Sequence, residues 1–413
     1  MISQSKKTWG RILKIVLALI ILIFCIDRAR KDTDFDVYLE AAKVLLSGGD
    51  IFDEDLTLDV QYFYSPFFAL ILVPFSFLPA FIVKLAWLLL NVFFIYRIWV
   101  LLSKYLDQSV LTIPQKKLLV FIPHIILVGF IIDNFHMAQV TFFILWATLE
   151  SIRLIFYNRM IAGAILLGIV INIKLLPLPI ILYLIYRNHW KAAFATFCVA
   201  VVLLFVPAIF IGIDYNSFLL ESWWRMINPT KESFTLETNL LTFNLPALIT
   251  ALFIENREGE KILEIPYSTL ERLIMTARII FVIITLFFLG TLPFRKAPSR
   301  LHQFREIAYI LLATVLLFPQ QNKYANVYLL PALTYIAYFL LVQFRSNRMM
   351  FTSPFYIFVC VLLFISIAFM CLTGKSIVGD ELSVWLGERK AITFGTILLV
   401  PVMLLLRPSK LII

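Results

Sequence analysis

Apolar residues come in long runs separated by short polar segments. Runs near 81–101, 118–132, 138–156, 191–213, 273–293, 307–319, 325–342, 354–372 and 391–406 reach or approach the about 20 apolar residues a helix needs to cross a bilayer. An earlier run, about Ile15 to Ile26, follows Lys6, Lys7, Arg11 and Lys14. It lacks a small-residue cleavage site and ends at Asp27, so it reads as an uncleaved first helix. The stretch 161–186 is interrupted by Lys174 and Pro177 and reads as two short helices meeting at that lysine. Two more apolar pieces, 66–79 and 240–254, are short and carry prolines, which predicts partial or re-entrant helices. Irregular backbone at membrane depth survives only where protein or a watery cavity covers it, so these pieces point towards a cavity.

Lysine and arginine set the orientation. The N-terminus, Arg97 to Lys117, Arg153 to Arg159, Arg187 to Lys191, Arg295 to Arg305, Arg345 to Arg348 and Arg407 to Lys410 all read as cytoplasmic. Their sidedness agrees if about twelve helices cross fully and the two short pieces do not. Both termini are then cytoplasmic. The other face receives a first external loop at 27–65, a second large segment at 214–269, and turns at Asn134–His136, Lys174 and Gln320–Tyr324. No fixed-period repeat or pair of similar halves is visible, which disfavours common transporter architectures. The pattern predicts an all-α polytopic membrane protein, one embedded domain over 1–413.

Composition agrees: 61% of residues are hydrophobic and 15% charged, against about 45–50% and about 25% in an ordinary globular chain. The net charge of +10 is spread in short clusters between apolar runs. No basic helix or aromatic-interleaved groove appears, so nucleic acid is not an expected partner. Cys25, Cys198, Cys360 and Cys371 lie in or beside apolar runs at unrelated spacings, which argues for packing over a disulfide frame or metal cluster.

Candidate chemistry gathers on the external side. The first loop holds Asp27, Asp32, Asp34, Asp36, Glu40, Asp50, Asp53, Glu54, Asp55 and Asp59. Within it Asp36 to Leu46 reads as a short amphipathic helix stopped by Gly48 and Gly49, with Tyr38, Ala41, Ala42 and Leu45 on one face. Asp34 and Asp36 stand at its entrance, where one serves as N-cap, accepts a proton from a hydroxyl, or contributes to an acidic metal site. Tyr62-Phe63-Tyr64-Ser65-Pro66 enters the next helix with Pro66 in its first turn. Lys174 is flanked by apolar sequence on both sides. A lysine there is costly to hold and is functional or snorkels from a helix end; as a compact cation it suits a phosphate. Lys323 lies in a polar turn, Pro319-Gln320-Gln321-Asn322-Lys323-Tyr324. His136 and Gln139, and Asn239 and Asn244, fall in other external turns, where each orients a sugar hydroxyl or serves as a cap. No phosphate-binding glycine loop, zinc spacing or serine–histidine pair is present.

The ordered set resembles glycosyltransferase family 87, the bacterial polyprenyl-phosphate-mannose-dependent transferases of the membrane-embedded GT-C type. Asp34-Phe35-Asp36-Val37-Tyr38 is followed by Ala41-Ala42 and Gly48-Gly49. Then come Tyr64-Ser65-Pro66-Phe67-Phe68, with Pro74 and Leu78-Pro79 behind. Ala138-Gln139-Val140-Thr141 resembles the family's Gly-Gln-Val-Asn stretch, with alanine replacing its glycine. Gly163, Gly168 and Lys174 to Pro177 resemble its Gly-and-Lys helix pair, and Asn239 the asparagine of its external loop. The resemblance covers about residues 33–342. Gln321-Asn322-Lys323-Tyr324 stands where the family has Ser-Trp followed by histidines, so the role of those histidines does not carry over, and Lys323 or Tyr324 takes their place.

The resemblance implies a GT-C-like bundle of about 12 helices in the inner (plasma) membrane, with the active site on the external or periplasmic face. It makes Asp34 the catalytic base. The donor it implies is a polyprenyl-phosphate-linked hexose, mannose by default, and the acceptor a glycolipid or glycan. Lys174 and Lys323 are then expected at the donor phosphate, and Asp36, Tyr38, Tyr64, Gln139, Asn239 and Tyr324 around the substrates. No cofactor is expected, although the acidic cluster keeps a divalent metal open. The alternatives are a transporter or flippase of lipid-linked sugars without transfer chemistry, and an assembly subunit that only contacts lipid-linked glycans.

Overall fold

The computed structural model describes residues 2–53, 61–228, 241–253, 265–290, 292–319, 321–346 and 352–411. Among these residues the regular elements are all helical.

α1 (Ile2–Ala29) runs unbroken through the first apolar stretch. After a four-residue link comes α2 (Asp34–Ser47), two residues earlier than the hydrophobic pattern predicts. The reason is its cap. Thr33, not an aspartate, is the N-cap, and Asp36 is the third helical residue of a capping box, accepting from the Thr33 backbone N–H at 2.8 Å. Gly48, at φ 80°, closes the helix in the left-handed region that favours glycine. The expected apolar face is buried: Tyr38, Ala41, Ala42 and Leu45, joined by Phe35, Val37 and Leu39.

α3 (Pro66–Ser76) has Pro66 in its first turn. Its 11 residues reach only about 16 Å, too short to cross; it packs on α2 as a partial helix. α4 (Ala80–Tyr105) is a full-length apolar helix. The run 118–132, continuous in sequence, is split by Leu127 into α5 (Ile113–Ile126) and α6 (Val128–His136), bent by 57°. Pro123 inside α5 removes a backbone donor just before that bend.

α7 (Thr141–Phe156), α8 (Met160–Ile173) and α10 (Trp190–Phe205) form a tightly packed group. A Cβ on Gly168 of α8 would lie 2.6 Å from Cγ1 of Val199 and 3.2 Å from the backbone nitrogen of Ala200 in α10. A side chain would therefore push α8 away, as small residues commonly prevent at membrane-helix contacts. On α8's other side Gly163 lies equally close to Ser151 and Ile155 of α7. α8 ends where expected: Lys174 is extended (φ −147°, ψ 131°), and α9 (Pro179–Tyr186) follows.

Five described helices are long and apolar enough to span: Ala80–Tyr105, Trp190–Ile211, Tyr267–Leu289, Lys323–Ser346 and Pro354–Cys371, or six with the bent α5–α6 pair. That is fewer than the about twelve crossings expected, because several sequence runs bridge helix breaks and others form helices of 14 to 18 residues. The spans differ in place. The Lys323–Ser346 helix is 83% buried inside the protein, whereas Trp190–Ile211 is 11% buried and turns its apolar side chains outward. A buried ion pair ties the end of α9 to a later helix: Arg187 pairs with Glu306 at 2.6 Å, and Tyr183 donates to the same carboxylate at 3.0 Å. The four cysteines are free thiols.

Candidate active site

Short segments from five parts of the chain meet at one end of the bundle: the start of α2, the residues before α3, the α6–α7 turn, the α8–α9 link and the turn at 321–324. Asp34 is the first residue of α2 and is half-buried. Its carboxylate accepts from the side-chain amide of Gln139 in the α6–α7 turn.

Gln139 is fully buried, and every polar part of it is used. Its amide oxygen accepts from the hydroxyls of Tyr38 and Tyr64, each at 3.3 Å, and those hydroxyls are 2.7 Å apart. Its backbone oxygen accepts from Trp87 and Asn91 of α4, each at 3.3 Å, and its N–H donates to the Asn134 oxygen at 2.9 Å. The turn that aims it requires Ala138 at φ 46°. This is the left-handed region where glycine is the easy residue, which accounts for glycine in the resembling family stretch.

Lys174 lies near enough to Asp34 for the two charges to act on each other. Its ammonium sits 5.3 Å from the ring centroid of Tyr324 and 5.9 Å from that of Tyr64, close enough for cation–π attraction. The two charges condition each other. Burial raises the Asp34 carboxyl to about 6, with the Lys174 charge and then the Gln139 hydrogen bond pulling the other way. Burial lowers the Lys174 ammonium to about 8, with the Asp34 charge opposing. Near pH 7 both are ionised: a carboxylate more basic than usual beside a cation poorly solvated by water. This pair can take a proton from a hydroxyl and balance a neighbouring anion.

Of the sequence candidates, Asp34, Tyr38, Tyr64, Gln139, Lys174 and Tyr324 come together here. Tyr324 is held by its backbone oxygen, which accepts from the Asn134 amide at 2.8 Å. Asp36 is drawn elsewhere: besides the capping box, it pairs with Lys84 of α4 at 2.9 Å. Lys323 points to Phe243, 5.6 Å from its centroid, across a junction where Phe243 N–H donates to the Gln321 oxygen at 2.7 Å. Asn244, the other asparagine considered there, caps the helix that follows, accepting from Ala247 N–H at 2.8 Å. Asn239 lies outside the described residues. His136 faces Phe24, with ring centroids 6.0 Å apart.

Sequence reasoning missed several residues. Lys84 carries the signal that marked Lys174, a lone charge in an apolar stretch between Asp59 and Arg97. Lys390 is buried and stands 5.5 Å from the Phe243 ring centroid, so two lysines share one aromatic ring. Nothing in the linear pattern links 390 to 243. Trp87 and Asn91 read as ordinary helix residues, yet they hold the Gln139 turn. Among the described residues no group of three or more His, Cys, Asp or Glu gathers as a metal site.

A model of glycosyltransferase family 87 matches residues 62–319, well over half of the chain. Comparison with curated proteins and with solved structures gave no significant match.

Proposed function

The chain belongs to glycosyltransferase family 87 and is a glycosyltransferase, and from that premise we propose that it moves a hexose, mannose by default, from a polyprenyl-phosphate donor to a glycolipid or glycan acceptor. The observation that carries this reading is the Asp34–Lys174 pair: a carboxylate raised to about 6 beside a lysine lowered to about 8, brought together from loops 140 residues apart.

In this reading the acceptor hydroxyl oxygen attacks the anomeric carbon as its proton passes to Asp34. The bond from that carbon to the phosphate oxygen breaks, and the electron pair leaves with the polyprenyl phosphate. Lys174 stabilises the charge that develops there. A single in-line displacement inverts the anomeric centre, so a β-linked donor yields an α-glycoside. The leaving group is a monophosphate, and a nearby ammonium neutralises it without a metal. Lys323 and Lys390 stand as further cations for phosphate on the donor or acceptor side.

The polyprenyl chain would lie among the helices or in lipid, with its phosphate at the bundle end that holds Lys174. Positive-inside reasoning makes that end external or periplasmic, in an inner membrane, with both termini cytoplasmic and the shorter apolar helices completing about twelve crossings. Cysteine labelling tests the sidedness: positions 50 and 380 should react from outside, and 110 and 300 from inside.

The decisive assay offers a panel of labelled polyprenyl-phosphate hexoses and native glycolipid or glycan extracts to the purified protein. Transfer by the wild type and at least about hundredfold slower transfer by Asp34→Asn are expected. Donor movement across proteoliposomes with no glycoside formed would instead make the protein a transporter or flippase.

A further inference from the structure

At the end of the bundle opposite Lys174, a cleft of about 810 Å³ opens between the starts of three helices. α8 joins the two ends: Met160 in its first turn lines the cleft, and Lys174 follows its last. Its 14 residues separate them by about 21 Å. α10 begins on the same wall at Trp190, and a third helix begins there at Arg300.

Helix starts carry unsatisfied N–H groups and the positive end of the helix dipole. Arg159 and His189, the N-cap residues of α8 and α10, make no side-chain capping bond. Full charges add to these partial ones. Lys191, Lys296 and Arg300 line the cleft, are exposed, and have no ion-pair partner among the described residues, while no carboxylate shares the lining. Burial, and next the charge of Lys296, push the His189 imidazole below its ordinary pKa, so it does not add another charge at neutral pH.

One more feature is independent of charge. Tyr105 lines the cleft, and its buried hydroxyl has no hydrogen-bond partner among the described residues. Buried hydroxyls in folded proteins are normally paired, and a ligand oxygen would satisfy this one. The third start is capped by Ser299, whose hydroxyl accepts from the His302 N–H at 3.3 Å. The positive-inside rule accounts for basic residues at this end, but not for an orphaned hydroxyl, two helix starts without a side-chain cap and a lining free of carboxylates.

We propose that this cleft binds a phosphate group, carried by an anionic phospholipid headgroup or by a free phosphorylated solute. The site is separate from the Asp34 centre, and its occupancy is measurable without any transferase assay.

The test is equilibrium binding of tail-labelled phosphatidic acid to the purified full-length protein in neutral detergent, with phosphatidylcholine as the zwitterionic comparison. The wild type should bind phosphatidic acid at least about tenfold more tightly than phosphatidylcholine. Lys191→Gln/Lys296→Gln/Arg300→Gln should abolish that preference, and Tyr105→Phe should weaken it several-fold. Lys104→Gln/Lys116→Gln/Lys117→Gln, at the same end but outside the cleft, should retain it. Competition with millimolar inorganic phosphate separates the sources: displacement assigns a site for phosphate itself, and resistance assigns a lipid headgroup site. Equal binding of the two lipids with no binding of inorganic phosphate overturns the proposal. So does equal loss in the two triple variants, which would reduce the effect to diffuse surface charge.

Discussion

The side-chain amide of Gln139 donates to the carboxylate of Asp34, across 105 residues of sequence. That contact links α2 to the turn between α6 and α7. It leaves the carboxylate one fixed donor, and the tyrosine hydroxyls of Tyr38 and Tyr64 lock the amide's orientation by occupying its oxygen. Gln139 is therefore a positioning residue for Asp34, and Lys174 is the charge that faces it.

The pH dependence follows from that pair. In the proposed mechanism Asp34 must be ionised to accept a proton and Lys174 protonated to meet a phosphate. The profile of kcat/KM should rise through about 6 and fall through about 8, a bell centred near neutrality. Asp34→Asn should remove the acidic limb along with at least about a hundredfold of the rate. A wild-type profile flat from pH 5 to 9 would remove both groups from the mechanism.

Gln139→Glu exchanges an amide for a second carboxylate beside Asp34 with almost no change in shape. Two carboxylates in contact cannot both ionise freely, so one proton is retained to higher pH. The acidic limb should move upward by about one unit or more. An unmoved limb would mean that Asp34 is not the titrating base.

Lys174→Met keeps the length and apolar body of the side chain and removes the charge. Donor KM should rise and kcat fall, with the alkaline limb lost from the pH profile. Near-normal donor saturation would return Lys174 to a lysine held only by its two tyrosine rings.

Asp36 should respond differently from Asp34, because its carboxylate serves the capping box and Lys84. Asp36→Asn weakens a charge-assisted contact to a buried lysine, a loss of about 1.5–3 kcal/mol in stability. The fall in kcat should be mild in protein that remains folded. Equal loss of activity in Asp34→Asn and Asp36→Asn, together with inactivation of the wild type by chelator, would instead indicate a metal held by both.

Gly168→Ala tests how the lysine is placed. The added methyl meets Val199 and the Ala200 backbone, so α8 must shift at a cost of about 1–3 kcal/mol. Lys174 follows directly from that helix, so donor KM should worsen with stability, although residue 168 touches no substrate. A lower melting temperature with unchanged KM would separate the helix contact from the site.

The hydrophobic pattern by itself determined the helical membrane class, the amphipathic α2 and the break at Lys174. Each rests on short-range facts: runs of apolar residues, a 3.6-residue period, a lone charge that apolar sequence cannot solvate. Order and residue type along the chain also marked Asp34, Tyr38, Tyr64, Gln139, Lys174 and Tyr324 as candidates. What the pattern could not decide was which polar residue meets which. Thr33 won the cap from two aspartates because Asp36 reaches back to its N–H, and that same carboxylate was then claimed by Lys84, 48 residues away. The 57° bend at Leu127 divided a run that looked continuous. Lys323 turned to Phe243, and Lys390 joined it from the far end of the chain. Periodicity reports which face of a segment is buried, but pairing between distant loops depends on how helices cross. Only the packed structure, through close approaches such as Gly168 on Val199, decides those crossings.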